Sequence, residues 1–193
     1  MLKKIIGATL TIVLTSVLTF AADSTTHTGN PHSLYLQYAG NTGLISFAAG
    51  RYIPDKRLNS HLVYGYLPAS VNGVTVHTLA LKVSCRIADT RVAPDLFLQY
   101  YIGLTTLYGV TRNTYLNYPD YFPDKYYASN AFHVSPYLGF HINALRKNSH
   151  QDKVFFFTEL GAIDYKLWSA ITTKYVGLSD ILNISFGIGF TIH

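Results

Sequence analysis

Residues 182–193 alternate without a break. Leu182, Ile184, Phe186, Ile188, Phe190 and Ile192 fall on one face; Asn183, Ser185, Gly187, Gly189, Thr191 and His193 fall on the other. Successive side chains of a strand point to opposite sides, so this pattern predicts a strand with one apolar face. The same rhythm runs through 131–145, with Phe132, Val134, Leu138, Phe140 and Ile142 against His133, Ser135, Tyr137, Gly139, His141 and Asn143. In 74–87, Leu79, Leu81, Val83, Cys85 and Ile87 oppose Thr78, Ala80, Lys82, Ser84 and Arg86. In 95–108, Leu96, Leu98, Tyr100, Ile102 and Leu104 oppose Phe97, Gln99, Tyr101, Gly103 and Thr105. Less regular strands are expected at 33–40, 44–53, 60–67 and 153–168. Asn41-Thr42-Gly43, Pro54-Asp55-Lys56 and Asn72-Gly73 read as turns between them.

Alternation alone suits both a sandwich, whose apolar faces meet inside, and a membrane barrel, whose apolar faces meet lipid. Length separates the two. The regular segments run about 10–14 residues, whereas globular strands average about 5–6 and strands that cross a bilayer at a tilt need about 9–11. The expectation is an all-β chain: an eight-stranded antiparallel up-and-down transmembrane β-barrel over residues 33–193. Small and polar residues would line its lumen. An even strand count puts both ends of the barrel on the periplasmic side. The links 109–130 and 169–179 then fall outside the cell and 146–152 falls inside; the 41–43 turn also falls outside, although it is short.

Residues 1–21 read Met-Leu-Lys-Lys followed by an apolar run from Ile5 to Phe20. A short basic start, an apolar stretch of about 16 residues and small residues at its exit describe a secretory signal peptide. Thr19 and Ala21 suit the positions before a cut, so cleavage is expected after Ala21. Residues 22–32 are small and polar and form a flexible periplasmic lead-in. The expected location is the bacterial outer membrane.

Composition sharpens this picture. Only 13% of residues are charged and 49% are hydrophobic, against roughly 25% charged in an ordinary soluble domain. The 16 Tyr and 11 Phe suit a membrane interface, where a ring with a polar tip is at home. The net charge of +5 is dispersed, with no basic stripe to track a nucleic acid. Cys85 is the only cysteine, so no disulfide can form within the chain. Neither the cysteine nor the scattered histidines give a metal-ligand spacing. No metal or cofactor is expected.

The strand rhythm, the amino-terminal segment and the alternating last strand together resemble the small outer-membrane β-barrels, the group containing the OmpA membrane domain, OmpX and OmpW. That resemblance implies outer-membrane lipids, lipopolysaccharide and the outer-membrane assembly machinery as partners. Such barrels typically end on an aromatic residue; this chain ends Phe190-Thr191-Ile192-His193. A second resemblance concerns His133-Val134-Ser135, which looks like the His-x-Ser of PagL-type lipid A 3-O-deacylases. It implies an esterase triad of Ser135 as nucleophile, His133 as base and Glu159 as the acid that orients it. The resemblance also implies a triad on the lipid side, whereas alternation puts His133 and Ser135 on the lumen face unless a bulge at Pro136 exchanges the faces. A β-turn centred near residue 150 would set Glu159 beside His141.

The inward positions carry Lys82, Arg86, Gln99, His141, Asn143 and Glu159. Buried charge must be paired or hydrogen-bonded. A packed polar plug is therefore expected, with Glu159 meeting Lys82 or Arg86; a narrow pore gated by that pair is the functional counterpart. The 113–130 link carries Tyr115, Tyr118, Tyr121, Phe122, Tyr126 and Tyr127. These rings suit either a contact patch on the cell surface or an interfacial girdle. The role expected from all of this is structural or surface-interacting, with a minor pore as its extension and the deacylase as the alternative.

Overall fold

The computed structural model describes residues 32–53, 57–94, 96–111, 114, 131–145, 153–172 and 177–192. Eight antiparallel strands close into one barrel in sequence order. They are β1 (His32–Ala39), β2 (Ile45–Ile53), β3 (Leu58–Leu67), β4 (Val76–Ala93), β5 (Leu96–Val110), β6 (Phe132–Leu145), β7 (Lys153–Ala162) and β8 (Leu182–Ile192). Closure comes from β1 pairing β8, with Leu34 opposite Phe190 and Tyr38 opposite Phe186. Among the described residues three short helices lie in the connections: α1 (Ala69–Asn72), α2 (Asp164–Thr172) and α3 (Leu178–Ile181).

The two ends differ. The β2–β3 and β4–β5 connections at one end are short, and Ala93 already faces Leu96. The opposite end carries the long β5–β6 link and the β7–β8 link with α2 and α3. The short β1–β2 turn also lies there. It closes with the Ala39 N–H donating to the Leu44 carbonyl at 2.8 Å, and it holds Gly40 and Gly43 at φ of 91° and 146°. Those angles favour glycine, which has no Cβ to clash.

Alternation is translated directly into burial. Leu36, Phe47, Leu62, Leu79, Ile102, Leu138, Phe156 and Ile184 are exposed on the outer face. Ser33, Gln37, Ser46, Thr78, Lys82, Thr105, Ser135, Glu159 and Ser185 are buried inside. Large inward rings are accommodated by glycines opposite them. A Cβ at Gly187 would collide with the ring of Phe157, and one at Gly139 would lie 2.8 Å from the Tyr101 hydroxyl and 2.9 Å from Glu159 Cγ.

Three expectations are corrected. The seventh strand stops at Ala162 instead of reaching 168, because period-two alternation ends there and residues 164–172 form α2. Asp164 opens that helix, where a carboxylate favours the exposed N–H groups. The β6–β7 hairpin is centred one residue earlier than expected, so Glu159 faces Gly139 and His141 faces Phe157. The fourth strand runs past 87 to Ala93, paired with β5 through register shifts at Arg86/Ala88 and Arg91/Ala93. Pro136 keeps register opposite Leu104, so no bulge exchanges the faces of β6.

Candidate functional site

The lumen is the candidate site, and Lys82 and Glu159 are its centre. Lys82 projects inward from β4 and Glu159 from β7, and their side chains form an ion pair at 5% and 8% exposure. The interior of an eight-stranded barrel is narrow enough for side chains to meet across it. The carboxylate also accepts from the Tyr101 hydroxyl at 2.9 Å and the Ser185 hydroxyl at 3.4 Å. The ammonium donates a second bond to Gln37 Oε1 at 3.2 Å. Three rings surround it: Nζ lies 4.8 Å from the centroid of Tyr137, 5.4 Å from Tyr35 and 5.6 Å from Phe157. Each charge is therefore met by an opposite charge and by neutral partners, as burial requires.

Towards the short-loop end the lumen is filled by rings. His141 stacks on Phe155 at 5.0 Å and lies 4.3 Å from Tyr101, while Tyr35 meets His61 and Phe157 edge-on at 5.0 Å each. His61 Nε2 shares a 2.7 Å hydrogen bond with the Ser33 hydroxyl. Asn143 donates to Gln99 Oε1 at 2.9 Å. A cavity of about 10 Å³ remains between Tyr35, His61, Lys82, Tyr101 and Glu159, space for roughly one water. The Tyr35 hydroxyl is buried there without a hydrogen-bond partner among the described residues.

Among the described residues no side-chain hydrogen bond or ion pair joins Arg86 to this network. It sits at the β4 bulge, beyond the end of the β3–β4 ladder at Cys85. Its Nε lies 3.5 Å from Asp89 on the same strand, and its guanidinium covers the Tyr52 ring at 5.3 Å. Arg86 keeps register opposite Tyr101, but its guanidinium goes to Asp89 and Tyr52 near the short-loop end, and Lys82 is the base that reaches Glu159.

At the long-loop end a polar chain crosses the mouth. Asn183 donates to Asn41 Oδ1 at 2.6 Å, and Asn41 donates to Ser135 Oγ at 2.7 Å. Gln37, Thr42 and Ser46 continue it along the wall. His133 is held differently: its Nδ1 lies 3.0 Å from Asp164 Oδ1, and Asp164 Oδ2 accepts the Val134 N–H at 3.2 Å. The three residues of the expected triad thus go to three separate partners. His133 meets Asp164, Ser135 meets Asn41, and Glu159 meets Lys82. No hydrogen bond among the described residues joins His133 to Ser135 or to Glu159.

Sequence reasoning did not assign Gln37, Asn41 or His61 to the site, and it missed Asp164. Extending the seventh strand to 168 hid it inside a strand. Its signal was the failure of alternation at Tyr165-Lys166-Leu167-Trp168, immediately after an acidic residue suited to open a helix. Tyr115, Tyr118, Tyr121, Phe122, Tyr126 and Tyr127 lie outside the described residues. Among the described residues no three His, Cys, Asp or Glu side chains gather into a metal cage. No protein-family model matches the chain, and no curated protein matches it either.

Proposed function

We propose that this chain is a bacterial outer-membrane β-barrel with a sealed lumen, serving a structural or surface-interacting role. The observation that carries the reading is the reversal of the usual polarity. Leu62 on the outer face is 64% exposed and Leu138 57%, whereas Lys82 and Glu159 inside are 4% and 6% exposed. In water such a belt of Leu, Ile, Phe and Val around the whole barrel would be an aggregation surface. In a bilayer it is the lipid-facing band, and the polar interior is what membrane barrels of this size enclose.

No helix among the described residues is long and apolar enough to cross a membrane, so the crossing we propose is made by strands. Closure supports it further, since a closed sheet leaves no unpaired edge in hydrocarbon. On this reading residues 1–21 are the export signal, the long-loop end faces outward, and lipopolysaccharide and outer-leaflet lipids are the surroundings. The kinship is with the small outer-membrane barrels. The cross-lumen ion pair and the ring layer beneath it favour a plug over a conducting pore.

The test uses the purified protein in detergent. Folded and boiled samples are expected to migrate differently on a gel, with a β-rich far-ultraviolet circular dichroism spectrum for the unboiled one. Planar-bilayer recordings are expected to show no unitary conductance. A freely soluble protein without a heat shift sinks the membrane reading, and reproducible current steps sink the sealed lumen.

A further inference from the structure

Helix α2 is nine residues long and buries none of them. An isolated helix needs about 12–15 residues to be even marginally stable in water, and shorter ones depend on packing an apolar face. On a helical projection Leu167, Ile171, Trp168 and Tyr165 span one side, interrupted by the terminal residues Asp164 and Thr172, and Lys166, Ser169 and Ala170 lie on the other. Ile171 and Trp168, at 79% and 69% exposure, are the two most exposed large apolar side chains among the described residues, and Tyr165 is 53% exposed. Leu167 is half-buried and Tyr165 meets His133, but the described residues supply no surface that covers Trp168 and Ile171.

The level at which α2 leaves the wall indicates what does. Asp164 ties the start of the helix to the Val134 N–H on the β6 edge. Val134 faces Thr106, and one step further out the pair Phe132 and Tyr108 stands exposed on the outer wall. Tyr165 packs against His133 at 5.5 Å between ring centroids. The exposed face of α2 therefore begins level with the outermost aromatic residues of the apolar wall.

Resting on the membrane reading above, we infer that α2 is an interfacial helix. Its Trp168, Ile171 and Tyr165 face lies in the boundary between headgroups and acyl chains of the outer leaflet, and the lipid surface is the partner that the fold leaves out. An amphipathic helix lies in that plane with its apolar side buried a few ångströms deep, and indole and phenol rings prefer that depth. The inward tie at Asp164 and the outward grip on lipid together fix the β7–β8 link at the membrane surface.

Trp168 is the only tryptophan in the chain, so its fluorescence reports this site alone. The full protein is reconstituted into phosphatidylethanolamine and phosphatidylglycerol vesicles containing lipids brominated either near the headgroup end or near the tip of the chain. The expected result is blue-shifted emission, loss of most of the intensity with the shallow bromine, and little loss with the deep one. Red-shifted emission quenched by acrylamide and untouched by either brominated lipid overturns the inference. Emission shielded from both quenchers also overturns it, because a protein surface, such as a second copy, would then cover the helix. The double variant Trp168→Phe/Leu138→Trp moves the reporter to the middle of the outer wall. Quenching of that reporter by the deep bromine shows the barrel is in the bilayer; failure there removes the membrane reading itself, separately from the fate of α2.

Discussion

Replacing Glu159 by Gln isolates the charge at the centre of the plug. The substitution keeps the shape of the side chain and an oxygen that can still accept from Tyr101, so no cavity opens. It removes the opposite charge paired with Lys82, an ammonium only 5% exposed. Gln37 Oε1 at 3.2 Å remains as an acceptor, and the rings of Tyr137, Tyr35 and Phe157 give partial compensation. Removing one partner of a buried pair costs about 3–5 kcal/mol, and these remaining contacts put the expectation near the lower end, about 3 kcal/mol. Lys82→Met should cost a similar amount, because it leaves the carboxylate with only the Tyr101 and Ser185 hydroxyls. The double variant should cost much less than the two added together, since neither charge is then left alone. The assay is the fraction of folded band on an unboiled gel as a function of urea, for protein in vesicles. Additivity of the two single effects to within about 0.5 kcal/mol would mean the residues are energetically independent, and the account of the plug would be refuted.

Two further outcomes follow from the mouth of the barrel. Ser135→Ala should leave lipid A acylation unchanged in overexpressing cells examined by mass spectrometry, because the Ser135 hydroxyl is engaged by Asn41 and not by His133; loss of an acyl chain that requires Ser135 would restore the esterase reading. Asp164→Ala should raise the exchange rate of the Val134 amide and cost about 1 kcal/mol, the worth of an ordinary hydrogen bond. Hydrogen-exchange mass spectrometry of the peptide spanning 132–138 reads this directly, and unchanged protection there would show that Asp164 does not hold the β6 edge.

How far the lumen could be read from the chain depends on the range of each interaction. Facing is local. The period of two assigned Lys82, Gln99, His141, Asn143 and Glu159 to one side of their strands, and burial follows that assignment wherever the ladder is regular. Arg86 shows the limit: it pairs with Tyr101 as the period requires, but after the register shift between Arg86 and Ala88 its partner is Asp89 on its own strand, and nothing in Ser84-Cys85-Arg86-Ile87-Ala88 announces a bulge. Partners across the barrel are not local at all. Lys82 and Glu159 are on strands with two others between them, so their meeting depends on closure and on every intervening register. The one-residue shift of the β6–β7 hairpin moved Glu159 from His141 to Gly139, where the missing side chain leaves room for the carboxylate beside Tyr101.

The stretch after Ala162 failed for a different reason. Leu167, Trp168 and Ile171 are apolar whether they cover a barrel wall or one side of a helix, and a short apolar segment does not distinguish the two by hydrophobicity. The distinction lies in what lies opposite. In β8 each outward residue is separated from the next by a residue that has a place in the lumen, and Ser185, Gly187 and Gly189 fill those places beside Glu159, Phe157 and Phe155. Beyond Ala162 the run Ile163-Asp164-Tyr165-Lys166-Leu167-Trp168 no longer alternates, and Asp164 turns to the Val134 N–H on the β6 edge and opens α2. The strand ends where alternation ends, and the apolar residues that follow take the period of a helix.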